Sequence, residues 1–94
     1  MELEPIYDTR KSFYGKAWIE AQKTPVEGVL RLFSYGTHVA TIIDNADTMT
    51  RTYQYLGKWS QTTTRHQKEF FKQYGLSDKR IKELFKKGEL VEDL

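Results

Sequence analysis

Near residue 57 the spacing of apolar side chains changes from a period of two to a period of about 3.6, and this change restricts the fold more than any other feature of the chain. Residues 13–21 alternate, with Phe13, Ala17, Ile19 and Ala21 on one side and Tyr14, Lys16, Trp18 and Glu20 on the other. That period predicts a strand. Pro25 and Gly28 punctuate the connection that follows. Residues 29–35 and 37–43 are rich in strand formers and are separated by Gly36 alone, which predicts a tight hairpin. The Asp and Asn of residues 44–47 form the next turn, and residues 49–56 alternate again, with Met49, Arg51, Tyr53 and Tyr55 on one side.

The second half reads as two helices. Ser60 and the three threonines at 62–64 offer several N-caps, and Thr64 with Gln67 has the capping-box spacing, so a helix is expected to begin near Thr63. His66, Gln67, Phe70, Phe71 and Tyr74 make one stripe, and Arg65, Lys68 and Lys72 another. Gly75 closes this helix. Ser77 caps the next, Asp78 complements its dipole, and Ile81, Leu84 and Phe85 form its apolar stripe up to Gly88. The expected architecture is α+β, a four-stranded antiparallel β-meander followed by two C-terminal helices packed on one face. In a single domain spanning 1–94, residues 1–12 are an N-terminal arm, 13–56 the sheet, 60–88 a helical hairpin and 89–94 an acidic tail. Leu90, Val91 and Leu94 either pack back or fray.

Composition narrows the chemistry. Hydrophobic residues at 38% and charged residues at 30% suit a folded chain, and six Tyr, five Phe and two Trp can fill a small core. The absence of cysteine excludes disulfides, thiolate zinc sites and thiol catalysis, and suits a reducing compartment. The N-terminal residues lack the basic start and apolar run of a secretory signal, and no run approaches the roughly 20 apolar residues of a spanning helix, so a cytoplasmic protein is expected. The net charge of +2 conceals a gradient. Residues 58–88 hold nine Lys or Arg against Glu69, Asp78 and Glu83, and are followed by Glu89, Glu92 and Asp93. A polyanionic partner and a solvated helix face both account for this concentration.

Three stretches taken together carry a family resemblance. They are Lys11-Ser-Phe-Tyr-Gly-Lys-Ala, Ser34-Tyr-Gly-Thr-His-Val-Ala-Thr-Ile, and Trp59-Ser-Gln-Thr-Thr-Thr-Arg-His-Gln-Lys-Glu-Phe-Phe-Lys-Gln-Tyr-Gly. Over residues 11–75 the chain resembles short proteins of unassigned function carried by phages and other mobile elements of Gram-positive bacteria. The resemblance implies an origin, and with it the cytoplasm of a bacterial host. It transfers no activity to any residue.

Neither a metal site nor a catalytic constellation is expected. His38 and His66 are the two histidines, which is too few for a dense transition-metal cluster in a chain without cysteine. His66 lies on the apolar stripe, where a hydrogen-bonded core histidine is the ordinary outcome and a nucleic-acid contact or pH switch the alternative. Ser60 and Thr62–Thr64 have no accompanying base-and-orienter arrangement, and helix capping explains them. No phosphate-binding glycine loop occurs, so no cofactor is expected.

Two surfaces suit binding. The basic helical residues Arg65, Lys68, Lys72, Lys79, Arg80 and Lys82 form the leading candidate for contact with a macromolecule. In a helix-turn-helix reading, Lys79 and Arg80 would approach bases in the major groove, although Phe71 stands where a small residue usually lets the helices cross; an ordinary helical hairpin is the alternative. The second candidate is a sheet side bearing Tyr14, Lys16 and Trp18, then Arg31, Phe33 and Tyr35, then Arg51, Tyr53 and Tyr55, suited to single-stranded nucleic acid. The small size of the domain favours instead that this side lies under the helices. The expected function is an accessory protein that acts by binding and not by catalysis, an anti-CRISPR-like inhibitor of a host nucleic-acid-guided or nucleic-acid-processing machine. Direct DNA or RNA binding through the basic helices, and a structural role in phage assembly, are the alternatives. The partner is accordingly a host protein or ribonucleoprotein complex, or DNA or RNA, with no membrane.

Overall fold

The computed structural model describes residues 1–93. Its elements run β1 (Ala17–Lys23), β2 (Glu27–Ser34), β3 (Thr37–Asn45), β4 (Thr50–Tyr55), α1 (Gln61–Gln73), α2 (Asp78–Lys87) and β5 (Glu89–Asp93). Among the described residues the strands form one antiparallel sheet in the order β1-β2-β3-β4-β5. The α+β class, the meander and both helices agree with the sequence reading; the strand count does not.

The expected acidic tail is the fifth strand. Gly88 adopts a left-handed conformation (φ 81°) and its N–H donates to the Leu84 carbonyl at 2.7 Å, so the chain leaves α2 turned back toward the sheet. Leu90 then pairs with Tyr53 and is buried, while Val91 points to the opposite face. Glu89, Glu92 and Asp93 conceal a two-residue alternation too short to register beside so many charges. Leu94 lies outside the described residues.

The first strand starts at Ala17, later than expected, because Tyr14 (φ 53°) and Gly15 (φ 72°) make a turn closed by Lys16 N–H donating to the Phe13 carbonyl at 3.0 Å. Tyr35 (φ 51°) and Gly36 (φ 80°) form the two-residue turn between β2 and β3, where both central residues need positive φ. After β3 the Asn45 side-chain oxygen accepts from the N–H of Asp47 at 2.9 Å and of Thr48 at 3.1 Å. The arm follows the outer edge of β1: Leu3 N–H donates to the Ala17 carbonyl at 2.9 Å and Ile19 N–H to the Met1 carbonyl at 2.7 Å. Leu3 is buried by this pairing.

Register decides which face each side chain occupies. Ala21, Leu30, Ile42, Tyr53 and Leu90 form a row across all five strands on the face covered by the helices, and Ile19, Leu32, Ala40 and Tyr55 form another across the first four. Phe70, Phe71, Ile81 and Leu84 pack down on them. The opposite face carries Trp18, Phe33 and His38 in one row and Val29, Ile43, Thr52 and Val91 in another, with no element of the described chain across it. The aromatic side read from the sequence is therefore split. Arg51, Tyr53 and Tyr55 lie under the helices, whereas Trp18, Arg31 and Phe33 lie on the open face. Across β3 the residue paired with Arg31 leads to Gln54 and not to Tyr53, and a bulge beside Leu32 and Phe33 shifts the register once more.

Phe70 and Phe71 are each 0% exposed, so Phe70→Ala or Phe71→Ala should cost about 3–5 kcal/mol in chemical denaturation. Phe85→Ala, which removes a half-buried ring stacked on Tyr55, should cost less. Equal losses at Phe70 and Phe85 would contradict this packing.

Candidate polyanion-binding groove

Helix α1 begins one turn earlier than the capping-box spacing suggests. Ser60 is its N-cap, with Oγ accepting from Thr63 N–H at 3.1 Å. Gln67 is turned inward, and its amide donates to the carbonyls of Val39 at 3.0 Å and Gly57 at 3.1 Å. Its neighbours on the inner stripe are fastened in the same way to other segments. The Ser34 hydroxyl is shared between Thr63 Oγ1 at 2.9 Å and His66 Nδ1 at 2.8 Å. One oxygen of the buried Glu69 carboxylate accepts from the backbone N–H of Tyr7 at 3.0 Å and of Asp8 at 2.9 Å, and the other from Gln73 at 2.7 Å. At the C-terminus of α1, the Tyr74 carbonyl receives the Arg51 guanidinium and the Tyr53 hydroxyl, both at 2.9 Å. A cation and a donor there complement the negative end of the helix dipole.

With that face committed, α1 turns Gln61, Thr64, Arg65, Lys68 and Lys72 outward. A hollow of about 510 Å³ is lined by Asp8, Lys58, Gln61, Thr64, Arg65 and Lys68. It shares Lys58, Thr64 and Lys68 with a second hollow of about 390 Å³ that ends on Tyr55 and Phe85. Those two rings stack with centroids 4.2 Å apart and planes 19° from parallel. On the other side Tyr7, Asp8, Arg65, Lys68, Glu69 and Lys72 enclose a small hollow of about 80 Å³. The three hollows form one basic groove running along α1, with rings at both ends.

The six basic residues singled out in the helices separate into two groups. Arg65 faces Asp8 at 3.3 Å, and Lys68 is exposed. Lys72 pairs with Asp78 at 2.8 Å and lies 5.9 Å from the centroid of the Tyr7 ring. Lys72 holds the Asp78 carboxyl below the usual carboxylate range, with Lys68 and Lys82 adding to the effect. Arg80 belongs elsewhere. It turns toward β5, where Glu92 and Glu83 each accept from it at 2.6 Å, and Glu92 first and then Glu83 raise its pKa. Lys79 is exposed on α2 and lines none of these hollows. The helix-turn-helix reading needs Lys79 and Arg80 extended together, and the two carboxylates on Arg80 oppose that.

The sheet candidates are dispersed. Tyr14 is exposed in the turn before β1, and Trp18 is exposed on the open face. Arg31, on that face, donates to Gln22 Oε1 at 2.8 Å. Arg51 is gripped by both oxygens of Asp44, which pushes its pKa upward, and Tyr53 is buried. Lys58 and Phe85 are groove residues that sequence reasoning did not select as binding groups, and Tyr55, read there as part of the aromatic sheet side, lies instead beside them. Lys58 stands two residues before the Ser60 cap, so its place at the head of the basic stripe was available in principle.

Ser34 and His66 bond as a nucleophile and base would, but they are 2% and 1% exposed and enclosed by Phe13 and Tyr35, so no substrate reaches them. Among the described residues no group of three His, Asp or Glu is placed to hold a metal ion, and no helix is long and apolar enough to cross a membrane. Burial lowers the His66 pKa, and the nearby Asp8 opposes the shift. The unfolded chain therefore takes up this proton first. Stability should be full above pH ~6.5 and fall as the pH drops from there through the lower folded-state pKa. Chemical denaturation between pH 7 and 5 should show this decline, and His66→Asn should flatten it. An unchanged slope in the variant would contradict the assignment.

No curated protein and no solved structure matches the chain. A family model does, over residues 1–87, and this span takes in the arm, the first four strands and both helices that build the groove. The chain belongs to a family of unknown function, DUF8033.

Proposed function

We propose that the protein acts by binding a single-stranded nucleic acid along the outer face of α1. The observation that carries this reading is the convergence of Lys58, Arg65 and Lys68 on one groove that runs onto the stacked rings of Tyr55 and Phe85. Cations along a track neutralise successive phosphates, and an accessible ring offers a platform to a base of any identity. An acidic protein surface would satisfy the cations and leave the rings without a role. Tyr55 sits half-buried with its phenol pKa raised by burial, so it carries no charge at physiological pH.

The resemblance to mobile-element proteins supplies a setting for this activity. An accessory protein of that origin would inhibit a host nucleic-acid-guided machine by seizing the strand that the machine needs. The two roles share one groove and separate in one respect: seizing a strand requires affinity in the absence of any protein.

Replacing Lys58 and Lys68 by Glu and Arg65 by Gln together should leave the thermal transition within a few degrees of wild type, because exposed charges contribute about 0–1 kcal/mol each and a neutral residue at position 65 does not repel Asp8. Binding of a short oligothymidylate should fall by about 100-fold or more. For the wild-type protein, the logarithm of affinity should decline against the logarithm of salt with a slope near −1.4, from Lys58 and Lys68 at about 0.7 each on a single strand, because Arg65 is already paired with Asp8. A folded triple variant with wild-type affinity, or a wild-type slope near zero, would overturn the reading.

A further inference from the structure

We infer that the arm residue Asp8 is a built-in competitor for the groove, holding the place that a phosphate takes when a strand is bound. This inference rests on the nucleic-acid reading above and concerns how that site is regulated. Asp8 is shared by the large hollow and the small one, as are Arg65 and Lys68, so its carboxylate sits at the junction of the two. Its oxygens lie 3.3 and 3.4 Å from Arg65 Nη1. A phosphate chain running from the Tyr55 and Phe85 rings toward Tyr7 and Lys72 has to pass that junction, where like charge would repel it.

The arm is brought there by its backbone. Glu69, buried beneath, accepts from the N–H groups of Tyr7 and Asp8, and Gln73 donates to the Glu4 carbonyl at 2.7 Å. Leu3 and Phe13 anchor the two ends of the segment in the core. Residues 4–12 between them form neither helix nor strand. The Asp8 side chain also accepts from Arg10 N–H at 2.9 Å, an interaction that an Asn side-chain oxygen can keep. Substituting the carboxylate therefore leaves the arm in place while removing the charge. The pairing with Arg65 is long for a charge-assisted bond, for which about 2.7–2.9 Å is usual, so the carboxylate is placed beside the cation without being locked to it. A phosphate that brings more than one oxygen can displace it.

The test is Asp8→Asn, measured by oligothymidylate binding across a salt series, with a thermal melt to confirm folding. Asp47→Asn, which removes one exposed charge in the turn between β3 and β4, controls for net charge. Asp8→Asn should tighten binding about threefold to fivefold, the range that a surface charge pair supplies, and should steepen the salt slope by about 0.7 as Arg65 becomes free for a phosphate. In an Arg65→Gln background the gain should vanish, because Asp8 acts through Arg65. The inference is overturned if Asp8→Asn gains no more than Asp47→Asn, if it binds more weakly, or if the gain persists without Arg65 while wild-type binding stays measurable. Absence of binding in wild type and in Asp8→Asn alike would overturn the groove reading itself, and this inference with it.

Discussion

The rotational setting of α1 on the sheet governs the rest of the structure, and buried polar groups set it more tightly than apolar packing does. His66, Gln67 and Glu69 are 1%, 0% and 2% exposed, and each is bonded to a different segment: His66 to β2, Gln67 to β3 and the loop before the helix, Glu69 to the arm. Apolar contacts tolerate some rotation, since one ring can replace another against the sheet. A buried carboxylate does not, because losing its donors costs far more than a typical hydrogen bond contributes. A step of one residue, about 100° around the helix, would break all three attachments at once. The same constraint fixes the outward face, so Arg65, Lys68 and Lys72 share a side because their neighbours in the sequence are occupied beneath.

The helix is held at its end as well as along its length. Arg51 and Tyr53 reach from β4 to the Tyr74 carbonyl, and Asp44 grips Arg51 from the other side. These two residues looked like binding groups on an aromatic strand, and their placement shows how a polar side chain on the covered face of a sheet comes to serve a helix terminus. The turn into α2 starts there, and α2 in turn directs the chain into β5. The edge strand thus follows both helices in the chain and pairs with β4.

Much of this was legible in the chain. The change of period located the sheet and helices, Gly75 and Gly88 marked helix ends, and the stripe containing His66, Gln67, Phe70, Phe71 and Tyr74 was the inner face. What escaped reading depends on partners distant in sequence. The parity that joins Arg31 to Gln54, and not to Tyr53, is set by pairing across β3 and by a bulge, neither of which is local. The strand β5 is five residues long with three carboxylates, and only the exposed edge of β4 makes it a strand. For the groove, charge counting identified Arg65, Lys68 and Lys72, but it could not foresee that Glu92 and Glu83 would draw Arg80 away or that Tyr55 and Phe85 would meet beside Lys58. Arg80 and Glu92 are 12 positions apart and Tyr55 and Phe85 are 30 apart, each pair on different elements.

The two tryptophans report on the two candidate surfaces separately. Trp59 follows the groove residue Lys58 in the chain and is 54% exposed, while Trp18 is 45% exposed on the open face of the sheet. Fluorescence titration of the single-tryptophan variants Trp18→Phe and Trp59→Phe with oligothymidylate measures directly where a strand binds. The account predicts saturable quenching in Trp18→Phe, which retains Trp59, and little change in Trp59→Phe. Quenching confined to Trp18 would place the nucleic acid on the open sheet face and contradict the role assigned to α1.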